Sequence, residues 1–349
     1  MRSLCLLGRV GLLALMIAAC QDDGSAGTTC GGSCGTGASP PVGGSGPGGS
    51  VGTGAAGASG TSTTSSTSTT STSSGGGGGA GGFSIQFFGN GTGDIDRVKI
   101  PIDEPPPDVS AGPPADVGAE DFTLEFWIAA EPGANDAGAV QCGENLAWIN
   151  GNIVFDRDRY NQDRKFGLSL AGGRLVFGVS GDGTGDATIC GDTTLDDGEW
   201  HHVAALRRRQ DGRLSLFVDG GLDAEGDGPD GDVSYPDDGV PGSFCGGPCT
   251  NSDPFLVIGA EKHDAGPAYP PFTGRVDEVR LSRVLRYGAP FARPTTPFNP
   301  DADTVALYSF DDPGPVATDS SGAASGPSHG TIEVGGTPVG PVFVEDSPF

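Results

Sequence analysis

The sequence predicts an all-β domain, a sandwich or barrel, behind a long disordered leader. Three observations carry this. Short apolar runs recur from residue 83 onward with Gly, Asp or Pro between them, the punctuation of strands and turns. No amphipathic period supports a helix longer than about two turns. Residues 199–220, EWHHVAALRRRQDGRLSLFVDG, read as two extended runs either side of Asp211-Gly212, a pair that supplies the positive φ angles of a two-residue hairpin turn. Centring the turn there places Leu206 opposite Phe217 and Ala205 opposite Val218. Ala204, Leu206 and Phe217 then share one face, and Val203, Ala205, Leu214, Leu216 and Val218 the other. A hairpin apolar on both faces belongs inside a layered structure, not on a rim. Arg207, Arg208 and Arg209 fall toward the turn, where their heads stay in water.

Taken from the start, residues 1–19 read as an export signal. Arg2 and Arg9 precede an apolar run, residues 10–19, that is too short to span a bilayer. The run closes on Ile17-Ala18-Ala19-Cys20, which resembles a bacterial lipobox. That resemblance implies lipidation of Cys20, and Gln21 after it implies the outer membrane, with the domain facing the surface or the periplasm. Residues 20–82 read as a tether of Gly, Ser, Thr, Ala and Pro with no apolar period, so no core can form. As a flexible coil its ends lie roughly 45 Å apart. Cys30 and Cys34 within it have no functional account.

The folded region is residues 83–349. Strands are expected at 83–88, 98–102, 122–130, 165–170, 174–179, the central hairpin, 255–260, 272–282, 304–310 and 342–346. Residues 122–130 alternate, with Phe122, Leu124, Phe126 and Ile128 on one face and Thr123, Glu125 and Trp127 on the other. Ala171-Gly172-Gly173 reads as a hairpin loop. The formal charge is −26, which repels phosphate backbones and argues against nucleic-acid binding.

Several of these stretches together resemble the laminin G-like, or concanavalin A-like lectin/glucanase, domains. The Trp-His-His-Val-Ala strand, polar turn and Val-Asp-Gly ending look like that family's central hairpin. FSIQFFGNGTGDIDRVKIPI looks like its first strand pair, and EDFTLEFWI, FLVIGA and FTGRVDEVRLSRVLR like later strands. TVALYSFDD with DSSG and HGTI resembles a segment at one end of these folds. The resemblance implies a jelly-roll sandwich of two antiparallel sheets, with the chain's two ends in neighbouring strands. It also makes His201 and His202 structural. Two Gly/Asp/Pro-rich insertions, residues 131–145 and 221–254, depart from the family's short loops.

An exported chain meets an oxidising compartment, so disulfides are expected among Cys142, Cys190, Cys245 and Cys249. Closing Cys245 to Cys249 is worth about 2 kcal/mol and Cys142 to Cys190 about 4 kcal/mol by loop entropy. Four cysteines allow three connectivities, and sequence does not choose among them. Adjacent strand residues point to opposite faces, so His201 and His202 cannot share one ion. The same alternation separates Asp277 from Glu278, and no Glu-x-Asp-x-x-Glu run of a glycosidase strand occurs. No catalytic residues are therefore expected. A structural Ca2+ is the ion that fits, with Asn90, Asp94, Asp182 and Asp186 as oxygen ligands in Asp/Gly-rich loops. For a sugar, Trp148, Tyr160, Tyr235 and Tyr269 are the aromatic candidates for stacking.

The expected function is non-catalytic recognition of a glycan or a surface protein, with the membrane reached through the lipid alone. A structural envelope component without a small-ligand site and a divergent glycoside hydrolase are the alternatives. The hydrolase needs two facing carboxylates on the concave sheet, roughly 5–10 Å apart.

Overall fold

A computed structural model describes residues 82–104, 109–237 and 254–349. Cys20, Cys30, Cys34, Cys245, Cys249 and the tether lie outside these residues. The described chain forms β1 (Ser84–Phe88), β2 (Arg97–Pro101), β3 (Phe122–Ala129), β4 (Asn152–Arg157), β5 (Lys165–Ala171), β6 (Arg174–Ser180), β7 (Asp186–Thr194) and β8 (His201–Arg207). It continues with β9 (Leu214–Val218), β10 (Gly221–Gly226), β11 (Phe255–Ile258), β12 (Thr273–Ser282), β13 (Thr304–Tyr308), β14 (Val316–Ala317), β15 (Gly330–Glu333) and β16 (Val342–Val344). They pair into two eight-stranded antiparallel sheets. The first runs β10-β9-β8-β3-β12-β1-β16, with β13 also on β12; the second runs β14-β15-β2-β11-β4-β5-β6-β7.

The core lies between the sheets, and the alternation of each strand selects its members. Phe122, Leu124, Phe126 and Ile128 of β3 enter it, as do Val203, Ala205, Leu214, Leu216 and Val218 of the central hairpin. The opposite face of that hairpin, Ala204, Leu206 and Phe217, packs under Leu285, Tyr287 and Phe291. Both apolar faces are thus covered, one by the other sheet and one by the chain after β12. β1 is flanked by β12 and β16, with Ser84 opposite Val344, so the two ends of the domain are neighbouring strands.

The hairpin's register differs from the expected one. Ala204 faces Phe217 and Val203 faces Val218, a slip of two residues. The loop spans residues 208–213, closed by the Arg208 N–H to Arg213 O bond at 2.9 Å. Gly212 does take φ +70°. However, Gly228 packs so closely on it that a Cβ would lie 1.9 Å from the Gly228 oxygen. Because the slip is even, every side chain keeps its face. Gly172 and Gly173, both at positive φ, form a tight two-residue loop between β5 and β6, one residue shorter than expected because Ala171 pairs with Arg174 as the end of β5.

Arg207 does not reach water. It is fully buried, and its Nη2 donates to the Pro229 and Gly231 carbonyls at 2.8 and 2.9 Å. Five strands were not expected: β4, β7, β10, β14 and β15. β10 lies inside the insertion at 221–254, where Leu222 and Ala224 are its only apolar side chains. The insertion at 131–145 leads to a short 3-10 turn, Ala147–Asn150, lying across the outer side of the second sheet. Cys142 and Cys190 form a disulfide with a Cα–Cα distance of 5.9 Å, tying this insertion to β7.

Candidate functional site

The sheet order brings two segments far apart in sequence side by side. β4 ends at Arg157 and releases Asp158. β11, its neighbour, ends at Ile258, and the chain then turns at Gly259 (φ +96°). A Cβ at Gly259 would stand 2.4 Å from the Phe87 ring, so only glycine makes this turn. The turn returns Glu261, Lys262 and His263 across the outer side of β4. Asp156 fastens the two segments: Oδ1 accepts the Asp158 N–H at 2.6 Å and Oδ2 the Lys262 N–H at 2.8 Å. Burial first, then the charges of Glu261 and Asp158, push its pKa up to about 8.

Asp158, Glu261 and His263 come together there, 4 %, 1 % and 3 % exposed. His263 Nδ1 stands 3.1 Å from Glu261 Oε1 and 3.5 Å from Asp158 Oδ2. Glu261 Oε2 accepts the backbone N–H of His263 at 2.8 Å and that of Asp264. Lys165 Nζ lies 3.0 Å from Asp158 Oδ1. Burial alone would raise the Asp158 pKa, but the His263 hydrogen bond and Lys165 outweigh it and hold it below the usual carboxylate range. At the exposed edge, burial and the Glu261 charge push Asp264 up to about 6.

Three of the four candidate aromatics surround this cluster. The Tyr160 ring meets His263 edge-on at 5.7 Å. Burial and the charges of Asp264, Glu261 and Asp158 raise the Tyr269 phenol. Tyr235 is 4 % exposed, with Arg159 and Lys262 over its ring at 5.4 and 5.7 Å, so it packs and offers no open face. Tyr160 and Tyr269 are half-buried. Trp148 is elsewhere and fully buried. It lies over Gly167 and Gly178 on the second sheet, where Cβ atoms would come within 2.1 and 1.9 Å of its ring. The histidine cluster was not among the expected sites; its signal is spatial, and in sequence only Glu261 and His263 are close.

The expected cation ligands fall in two separate loops. Asp94 is paired with Lys99 at 2.8 Å and Arg97 at 3.4 Å. Asn90 donates through Nδ2 to the Pro338 carbonyl at 2.7 Å. Asp186 accepts the Ser180 hydroxyl at 2.6 Å, and Asp182 sits exposed at the β6–β7 loop. Among the described residues, the group placed to share one metal ion is Asp158, Glu261 and His263.

The outer face of the first sheet holds a second polar cluster, fully covered. Glu125 receives Arg280 Nε at 2.8 Å, the Tyr287 hydroxyl at 2.7 Å and His202 Nε2 at 3.3 Å. His201 is held instead between Asp219 and Asp197, at 2.8 and 3.2 Å. The two histidines therefore serve different carboxylates. Asp277 and Glu278 do not alternate as expected. A β-bulge lies between Asp277 and Arg280, with Glu278 at φ +48°, so both carboxyls reach the outer side. Burial pushes them up to about 9 and about 7; Glu278 adds to the first shift and Asp311 to the second. They lie under cover: the Glu278 carboxylate accepts the Phe298 N–H at 2.6 Å, and Phe349 packs on neighbouring Trp127 at 5.1 Å. A separate cavity of about 500 Å3 opens between the loops at 112–121, 301–305 and 321–325, with no aromatic in its wall.

A laminin G family model, described as the concanavalin A-like lectin/glucanases superfamily, matches residues 107–286, just over half of the chain. None of the curated proteins compared matches it. Among solved structures, a candidate carbohydrate binding protein from Bacteroides ovatus is similar, with 16 % identity and a TM-score of 0.44 over 76 % of this chain and 60 % of that one. The chain therefore spans about 60 % of that protein's length. The native heptameric SAP-like pentraxin of Limulus polyphemus shares 12 % identity at a TM-score of 0.37, over 59 % of this chain and 78 % of that one. Domains LG4-5 of the mouse laminin alpha1 chain share 17 % identity at a TM-score of 0.35, over 62 % and 47 %.

Proposed function

We propose, for a chain that belongs to the concanavalin A-like lectin/glucanases superfamily, a non-catalytic role: recognition of a glycan at the edge formed by Tyr160, Tyr269 and Asp264. One observation carries this reading. Two half-buried tyrosines lie beside a buried carboxylate–histidine cluster, with Asp264 exposed between cluster and solvent. A sugar's apolar face stacks on tyrosine, while its hydroxyls donate to carboxylates; few polar groups in fixed places give orientation. The cavity without aromatics lacks the first element. The covered Asp277–Glu278 pair lacks the open sheet a glycosidase requires.

The test is a glycan array probed with the purified chain. Retention of a defined glycan subset is expected. Tyr160→Ala and Tyr269→Ala should each weaken it about tenfold, ~1.4 kcal/mol, at unchanged melting temperature. Full binding by both variants, or no retained glycan, would reject the reading. Calcium at the loops of Asn90, Asp94, Asp182 and Asp186 belongs to the same proposal. Running the array with calcium added and omitted decides it, since a calcium-held site loses its signal without the ion.

A further inference from the structure

We propose that Asp158, Glu261 and His263 bind a borderline transition metal of the zinc class. The geometry is the first ground. One ligand atom from each residue lies within 4.8 Å of the others, and a tetrahedral zinc site, with bonds of about 2.0–2.1 Å, sets its ligands about 3.4 Å apart. Small side-chain movements close that difference.

The second ground is the count of oxygens left to bind an ion. Both Asp156 oxygens already accept backbone N–H groups. Glu261 Oε2 accepts two. Lys165 stands against Asp158 Oδ1. Beyond these contacts, the atoms that face one another across the cluster are Glu261 Oε1, Asp158 Oδ2 and His263 Nδ1. Calcium takes six to eight oxygens; two oxygens and one nitrogen, with a fourth position open, is a zinc set.

Asp156 supplies the outer support: by holding the backbone at Asp158 and Lys262 it fixes both arms, as second-layer carboxylates do in metal sites. On binding, His263 would offer Nδ1 through its lone pair, with the ring proton on Nε2.

This inference stands apart from the glycan reading, because the metal is measured directly. The purified full chain is dialysed against Zn2+ and, separately, Ca2+, and bound metal is counted by mass spectrometry. One zinc per chain and a raised melting temperature are expected. His263→Ala and Asp158→Asn should lower zinc affinity at least tenfold. His201→Ala, whose imidazole sits between Asp197 and Asp219, should leave it unchanged. Zinc retained in full by His263→Ala, no stoichiometric zinc in the parent, or calcium competing at equal concentration would overturn the proposal. Circular dichroism checks folding, and if His263→Ala does not fold, Asp158→Asn decides.

Discussion

Trp148 shows how one residue's role depends on two residues with no side chain. Its ring occupies the space above Gly167 and Gly178, so the large apolar surface of a tryptophan seals the second sheet. Trp148→Ala should cost about 3–5 kcal/mol. Gly178→Ala should cost about 3 kcal/mol in the parent, because its methyl would overlap the ring, and far less in the Trp148→Ala background. Thermal unfolding of the double-mutant cycle reads the coupling; additive losses would refute the packing account. Asp277 illustrates the opposite economy, a buried acid with its pKa pushed up to about 9 by burial and then by Glu278. Its folded-state pKa exceeds its unfolded one, so the folded state binds more protons between about pH 4 and pH 9, and this group's stabilisation falls as pH rises through that window. Asp277→Asn keeps the oxygen that accepts the Glu278 N–H at 2.8 Å and should flatten stability against pH from 5 to 8. An unchanged slope in urea titrations would show that Asp277 does not titrate there.

At the scale of elements, the strands after β12 complete both sheets. β13 pairs with β12, β16 with β1 and β15 with β2. Tyr308 is fully buried and its hydroxyl donates to the Ser328 carbonyl at 2.6 Å. Removing residues 301–349 should expose two sheet edges and strip these contacts, at several kcal/mol, more than a marginally stable domain can lose. The truncated chain should aggregate or unfold. A soluble product with a cooperative, unchanged melt would make the segment an accessory tail. The central hairpin gives the contrasting case: the place of its turn was legible in Asp211-Gly212, its register was not, since the loop closes between Arg208 and Arg213 and not at a two-residue turn.

For the whole molecule, charge and address bear on where the domain acts. From the apolar run ending at Cys20 we propose that a lipid anchors the chain there and that the Gly/Ser/Thr stretch holds the domain off the membrane. Cys20→Ser should abolish labelling by a fatty-acid analogue and shift the chain to the soluble fraction, while the domain melts as before. Labelling that persists in this variant would remove the anchor. Several acyl chains hold a protein stably where one does not.

The sequence by itself determined the all-β class, eleven of the strands, the core faces of β3 and the central hairpin, and the family. These are local properties: alternation with period two assigns faces, and glycine pairs mark loops. Only the tertiary structure decided which cysteines pair within the described residues, that Arg207 is buried, that a bulge carries Asp277 and Glu278 to one side, and that Asp158 meets Glu261 and His263. Each depends on strands brought together across long stretches of chain, and one residue of register or one bulge changes the neighbours without changing the local pattern. That is why Tyr160 and Tyr269 could be named from sequence while the cluster beside them could not.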